Sequence, residues 1–124
     1  MKDKLIKLLD NSYSPYSKYK VAAIVVMKDG KEFNGVNVEN ASYGATVCAE
    51  RVAIYNAISA GYKKNDFETM YIINNTNDIS VPCFICRQVI TEFFETDKKI
   101  VCMNSTGDIK EYEVKYLCPE PFNL

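Results

Sequence analysis

No histidine occurs among the 124 residues. That excludes Ser-His-Asp and Cys-His catalysis, HExxH peptidase chemistry and every metal site that needs an imidazole. If this chain holds a metal, sulfur must hold it. Nor is there a block of one charge sign. Fifteen Lys and Arg are scattered against 16 Asp and Glu, for a formal net charge of −1, so the basic footprint of a nucleic-acid binder is missing. No apolar stretch approaches the length of a membrane span. Met1 to Asp10 is too charged, and its apolar run too short, for a secretory signal. The expectation is a soluble, cytoplasmic protein with neither nucleic acid nor membrane as a partner. Repeats and low-complexity segments are also lacking.

What is present is 48% hydrophobic and 25% charged residues, enough apolar content for the core of one globular domain over residues 1–124. The five cysteines are an odd number, and reduced thiols in a cytosolic chain more often bind metal or pack in a core than form disulfides.

Three of these thiols can converge. Cys48-Ala49-Glu50-Arg51 supplies one, and Pro82-Cys83-Phe84-Ile85-Cys86-Arg87-Gln88 supplies two. A catalytic zinc takes about three protein ligands and leaves a fourth place to water, and Cys48, Cys83 and Cys86 would be those three, for one Zn2+ per chain. Cys83 and Cys86, three apart, share a face on the first turn of a helix, whose free N–H groups and positive dipole end favour thiolates. Glu50 lies two after Cys48, so both reach one metal only if Cys48 stands where a helix begins. Three thiolates on a dication leave a charge of minus one, which makes bound water less acidic. Two helix N-termini and Arg51 are the groups available to offset it, with Arg87 a weaker candidate.

Along the chain, residues 2–13 read as an amphipathic helix with Leu5, Leu8 and Leu9 on one side. Lys20–Lys28 and Lys31–Asn37 read as strands joined by a tight Asp29-Gly30 turn. The loop Val38–Val47 delivers Cys48 to a helix running through Ala60, with the small stripe Ala49, Val52, Ala53 and Ala57 for packing and Gly61 as its stop. Glu68–Ile73 is a third strand, and a polar Asn74–Ser80 connection leads to a helix from Cys83 to near Thr96. Lys99–Met103 and Ile109–Val114 complete the strands. This order predicts an α/β fold with a mixed five-stranded sheet between helices, a three-layer α/β/α arrangement.

Four segments, in this order and with suitable gaps, resemble the small homotetrameric cytidine deaminases: Ser14-Pro15-Tyr16-Ser17-Lys18-Tyr19-Lys20-Val21, Gly35-Val36-Asn37-Val38-Glu39-Asn40-Ala41-Ser42-Tyr43, Cys48-Ala49-Glu50-Arg51 and Pro82-Cys83-x-x-Cys86-Arg87-Gln88. The tail Leu117-Cys118-Pro119 with Phe122 is similar too. The resemblance implies the cytidine deaminase-like fold and hydrolytic deamination of cytidine and deoxycytidine in pyrimidine salvage. Glu50 would shuttle protons and Arg51 would steady the thiolates. It further implies that Asn37 and Glu39 bond the ribose and that Tyr19, where the family usually has phenylalanine, packs on the nucleoside. Phe122, Ala41 and Tyr43 would reach into a neighbouring subunit's pocket. Two departures stand out: Phe84 and Ala22 occupy places where the family commonly has glycine, with a narrower pocket or altered packing as the expected effect.

Each assignment has a plainer rival. Cys102 or Cys118 would complete a structural four-cysteine zinc, although both read as packed thiols. On spacing alone Glu39 is a loop carboxylate and Asn37 a turn residue, and Arg87 a solvated helix charge. At the level of function, the rivals are a deaminase of another aminopyrimidine nucleoside such as blasticidin S and a non-catalytic, zinc-stabilised oligomeric binding module.

Overall fold

Alternation along the first strand, β1 (Val21–Met27), divides the packing into two layers. In the computed structural model, which describes residues 1–124, Ala22 and Ile24 face a cluster with Leu5, Ile73, Val101 and Met103. Ala23, Val25 and Met27 face the larger core with Ala53, Ile54, Ile90 and Leu117. A strand with apolar residues on both sides is one covered on both faces.

The other strands are β2 (Glu32–Val36), β3 (Phe67–Asn74), β4 (Lys99–Met103) and β5 (Ile109–Glu113), in the order β2-β1-β3-β4-β5. Only β3 and β4 run parallel, as a crossover through a helix requires. Helix α1 (Lys2–Leu9) covers one face with Leu5, while α2 (Ala49–Ser59), α3 (Phe84–Phe93) and the short α4 (Val114–Leu117) cover the other. The result is the mixed five-stranded α/β/α arrangement that the sequence predicts.

Helix α2 sits unusually close to the sheet. Ala49, Ala53 and Ala57 are fully buried, and a Cβ placed on Gly35 of β2 would lie 2.3 Å from the Ala49 carbonyl oxygen and 2.5 Å from the Ala53 nitrogen. Glycine and alanine are what let two backbones approach this far. The helix ends in a Schellman motif: Gly61, at φ +102, donates to Ile58 O at 3.0 Å, and Tyr62 to Ala57 O at 3.2 Å.

Several boundaries differ from the sequence reading for identifiable reasons. The first helix stops at Leu9 rather than 13, because Tyr13 N–H bonds Asn37 O at 3.0 Å and Tyr13 O accepts from Glu39 N–H at 2.8 Å. The first hairpin uses Lys28 as well as Asp29-Gly30: Met27 N–H reaches Lys31 O at 2.8 Å, with Gly30 at φ +91. Helix α3 ends at Phe93 rather than near Thr96, since Phe94 turns extended and packs its ring 5.0 Å from that of Phe67. Val114, expected to close the last strand, instead opens α4, burying itself and Leu117 in the core.

Candidate metal centre and active site

Two helix starts meet at one place. Cys48 is the N-cap of α2 and Cys83 the N-cap of α3, with Cys86 in the first turn of α3. The position of Cys48 before the helix is what the Cys48/Glu50 spacing demands, whereas Cys83 stands one residue ahead of the turn rather than on it. The three sulfurs lie within 4.8 Å of one another, and Cys48 Sγ is 3.8 Å from Cys83 Sγ. Two Zn–S bonds of about 2.3 Å at the tetrahedral angle put their sulfurs about 3.8 Å apart. The donor set therefore fits zinc in both chemistry and spacing, and Cys48, Cys83 and Cys86 can hold one ion.

There is no fourth protein ligand in this cluster. Cys102 is buried in the core, where burial first and Glu50 second push its thiol up to about 12; Cys118 follows α4, half-buried. Cys102 is the packed thiol of the sequence reading, neither of the two joins the three sulfurs, and a closed four-cysteine site is not formed. A set of three leaves one tetrahedral position open, the arrangement of catalytic rather than structural zinc.

Positive charge offsets the sulfurs from Arg51, whose Nη2 is 3.5 Å from Cys48 Sγ. Hydrogen bonding from Cys86, against the cost of burial and helped by Arg51, holds the Cys48 thiol down at about 5. Arg87 is neither a partner of the sulfurs nor a solvated charge. Its Nε donates to Pro82 O at 2.7 Å, its Nη1 donates to Leu117 O at 3.0 Å, and its guanidinium lies 4.4 Å from the centre of the Phe84 ring.

Beside the sulfurs opens a cavity of about 190 Å³, lined among others by Tyr19, Asn37, Glu39, Cys48, Glu50 and Cys83. Glu50, in the first turn of α2, is 5% exposed. Burial pushes its carboxyl up to about 7, with Cys48 adding to the shift and its own backbone N–H and Arg51 opposing it. Glu39 is nearly buried and held as an anion: Ser17 Oγ donates to Oε2, and Tyr16 and Ser17 N–H donate to Oε1 at 3.0 and 3.1 Å. The Ser17 hydroxyl is the main cause that lowers its pKa below the ordinary carboxylate value. Asn37 bridges two backbone groups, accepting from Val21 N–H at 3.0 Å and donating to Tyr19 O at 2.7 Å. Its second Nδ2 hydrogen is left for the cavity. Burial raises the Tyr19 phenol, against a hydrogen bond with Ser80, so at neutral pH it is a donor.

Ala41, Tyr43 and Phe122 do not line this cavity. The loop carrying the first two is pinched at its neck by the Val38–Val47 bridge, leaving Tyr43 81% exposed, and Phe122 is 68% exposed in the tail. The two departures also lie elsewhere: Ala22 is buried under α1, and Phe84 is 74% exposed beneath Arg87. Neither narrows the pocket. Sequence reasoning missed Asn74, at the end of β3, and Ser80 and Val81, in the connection before Pro82, all of which line the cavity; their only signal was that position in the chain.

Comparison with known proteins agrees with this geometry. A family model described as the cytidine and deoxycytidylate deaminase zinc-binding region matches residues 1–104. The chain belongs to this family. It is 41% identical over 117 residues to a cytidine deaminase of Halalkalibacterium halodurans, covering 94% of this chain and 87% of that protein. The crystal structure of cytidine deaminase from Burkholderia pseudomallei superimposes with a TM-score of 0.92 at 38% identity, covering 97% of this chain and 94% of that one. A blasticidin-S deaminase of Bacillus cereus is more distant, 29% identical over 111 residues, covering 83% of this chain and 76% of that protein. The deaminase fold of the sequence reading is thereby established, with its zinc-binding cysteines as part of the family's zinc-binding region.

Proposed function

We propose that the chain is a zinc-dependent deaminase that converts cytidine and deoxycytidine, with water, to uridine or deoxyuridine and ammonia. The observation that carries this reading is a set of three convergent sulfurs without a fourth ligand, opening on a cavity that holds a buried carboxyl. Bound zinc supplies a Lewis acid that brings the acidity of water toward neutrality. Glu50 takes a proton from the water that attacks C4 of the cytosine ring, gives it to N3, and carries the next to the departing amine. A carboxyl raised toward neutrality by burial suits a group that must both accept and return protons. Arg51 and the N-termini of α2 and α3 steady the three sulfurs.

The other roles follow from the polar atoms left over. Glu39, ionised and using its Oε1 on backbone, keeps lone-pair capacity on Oε2 for a ribose hydroxyl, and Asn37 offers one N–H. Tyr19 packs on the nucleoside from the side of Ser80. Ala41, Tyr43 and Phe122, exposed and apolar or aromatic, enter the pocket of a neighbouring copy in a homotetramer with shared sites, residues 1–124 acting as one catalytic domain. A cytoplasmic place in pyrimidine salvage belongs to this reading; no helix is long and apolar enough to cross a membrane.

Blasticidin S is the second substrate to test, because one relative carries that name. Against it stands the Asn37/Glu39 pair, since that drug's sugar lacks the same hydroxyls. The test is ultraviolet absorbance of cytidine, deoxycytidine and blasticidin S with zinc-loaded protein and a Glu50→Ala control. Turnover of the two nucleosides by the parent alone is expected. Turnover of blasticidin S alone would replace the substrate assignment, and silence on all three at one zinc per chain would leave a zinc-stabilised binding module.

A further inference from the structure

The residues that follow the last metal ligand reach away from the metal. Gln88 Nε2 donates to Phe122 O at 2.9 Å while Gln88 Oε1 accepts from Phe122 N–H at 2.9 Å. One side-chain amide thus pairs with both backbone groups of a single tail residue, as a neighbouring strand would. Arg87, the residue before it, ties Pro82 O, immediately ahead of Cys83, to Leu117 O at the end of α4. The remaining tail has no helix or strand. Its Phe122 ring is left 68% exposed although its backbone is held from both sides. The backbone of Phe122 is thus fixed while its side chain faces solvent.

From these contacts we infer that Arg87 and Gln88 couple the metal-holding turn of α3 to the C-terminal tail, so that metal occupancy sets how Phe122 is presented. Cys83 and Cys86 flank the first turn of α3, and metal fastens that turn to Cys48 on α2. Without metal, nothing beyond the sulfur contacts themselves fastens the turn of Cys83 and Cys86 to Cys48 on α2. The frame that aims Arg87 and Gln88 then loosens, and the tail with it. Gln88 is here a positioning residue for Phe122. Its consequence for substrate rests on the proposed reading that Phe122 enters a neighbouring pocket.

The coupling is testable without relying on that reading. Hydrogen exchange of the 117–124 segment would be followed in zinc-loaded parent, in parent stripped by a chelator, and in zinc-loaded Gln88→Ala and Gln88→Glu. Two solvent-accessible neutral hydrogen bonds correspond to roughly a tenfold change in tail opening. Exchange at the Phe122 amide is expected to rise about tenfold in Gln88→Ala and in the stripped parent. Gln88→Glu, which keeps the acceptor and loses the donor, is expected to fall between. Parent-like exchange in zinc-loaded Gln88→Ala overturns the clamp, and tail exchange indifferent to zinc in the parent overturns the coupling. On cytidine, Gln88→Ala should raise KM with kcat held and zinc at one per chain. If Phe122→Ala leaves KM unchanged while the exchange results hold, the shared-pocket reading fails and the coupling stands.

Discussion

Gly35→Ala is the substitution that most directly ties the fold to the metal. The added carbon would stand 2.3 Å from Ala49 O and 2.5 Å from Ala53 N, both backbone atoms of α2. No side-chain rotation relieves such contacts. Reaching ordinary van der Waals distance needs a displacement of about 1 Å between β2 and α2, and overpacking of this kind costs typically 1–3 kcal/mol. With rigid backbone on both sides, about 3 kcal/mol is the appropriate end of that range. Alanine recovers about 0.5–1 kcal/mol by restricting the unfolded chain, so the clash wins by about 2 kcal/mol. For a chain of this size that lowers the melting temperature by roughly 6–10 °C. The displacement also moves Cys48, the N-cap of the same helix, out of register with Cys83, which it approaches to 3.8 Å. Zinc affinity should fall at least about tenfold, read by competition with a colorimetric chelator beside a thermal melt. Gly44→Ala is the control, since nothing lies within 4 Å of a Cβ there. A Gly35→Ala protein that melts with the parent and holds zinc equally tightly would refute the packing argument.

Two further predictions rest on charge. The ionised Glu39 has a folded pKa below its unfolded value of about 4.3, chiefly through Ser17, so the stability it contributes is present above about pH 4.3 and lost as pH falls through the folded value. The difference in melting temperature between parent and Glu39→Gln should therefore be constant near neutrality and shrink on acidification; a gap that widens in acid would contradict the sign. Metal removal by a strong chelator should make Cys48 and Cys83, half-buried and exposed, reactive to a chromogenic thiol reagent in the folded protein, while Cys86 and Cys102, both fully buried, stay protected. Equal reactivity before and after chelation would mean that these sulfurs hold no metal.

Much of the site was legible because its chemistry constrains local geometry. A ligand and a carboxylate spaced as Cys48 and Glu50 can serve one cavity only from a helix start, and Cys48 is the N-cap. The β-rich run Val21–Val26 and the glycine at position 30 likewise carry their own instructions. What escaped was decided across the chain rather than along it. Asn11 to Tyr13 continue an amphipathic pattern, yet pairing with Asn37 and Glu39 takes the backbone of Tyr13 out of the helix. Val114 and Leu117 fit a strand end or a helical turn equally, and burial of both against the large core selects the turn. Arg87 looked like a solvated charge until Pro82 and Leu117 supplied its carbonyl partners. Of the two effects expected of Phe84 and Ala22, a narrower pocket is excluded, because one faces outward and the other lies beneath α1.

The central claim is that Glu50 moves the protons beside a three-sulfur metal site. The most direct measurement is the cytidine turnover rate of Glu50→Gln, made on protein whose zinc content is determined in the same sample. The side chain keeps its size and loses only its capacity to take and return a proton, which general acid–base catalysis values at about 10²–10⁴-fold. The account predicts one zinc per chain and a kcat lowered by at least about a hundredfold. Parent-like turnover at full zinc occupancy would contradict it.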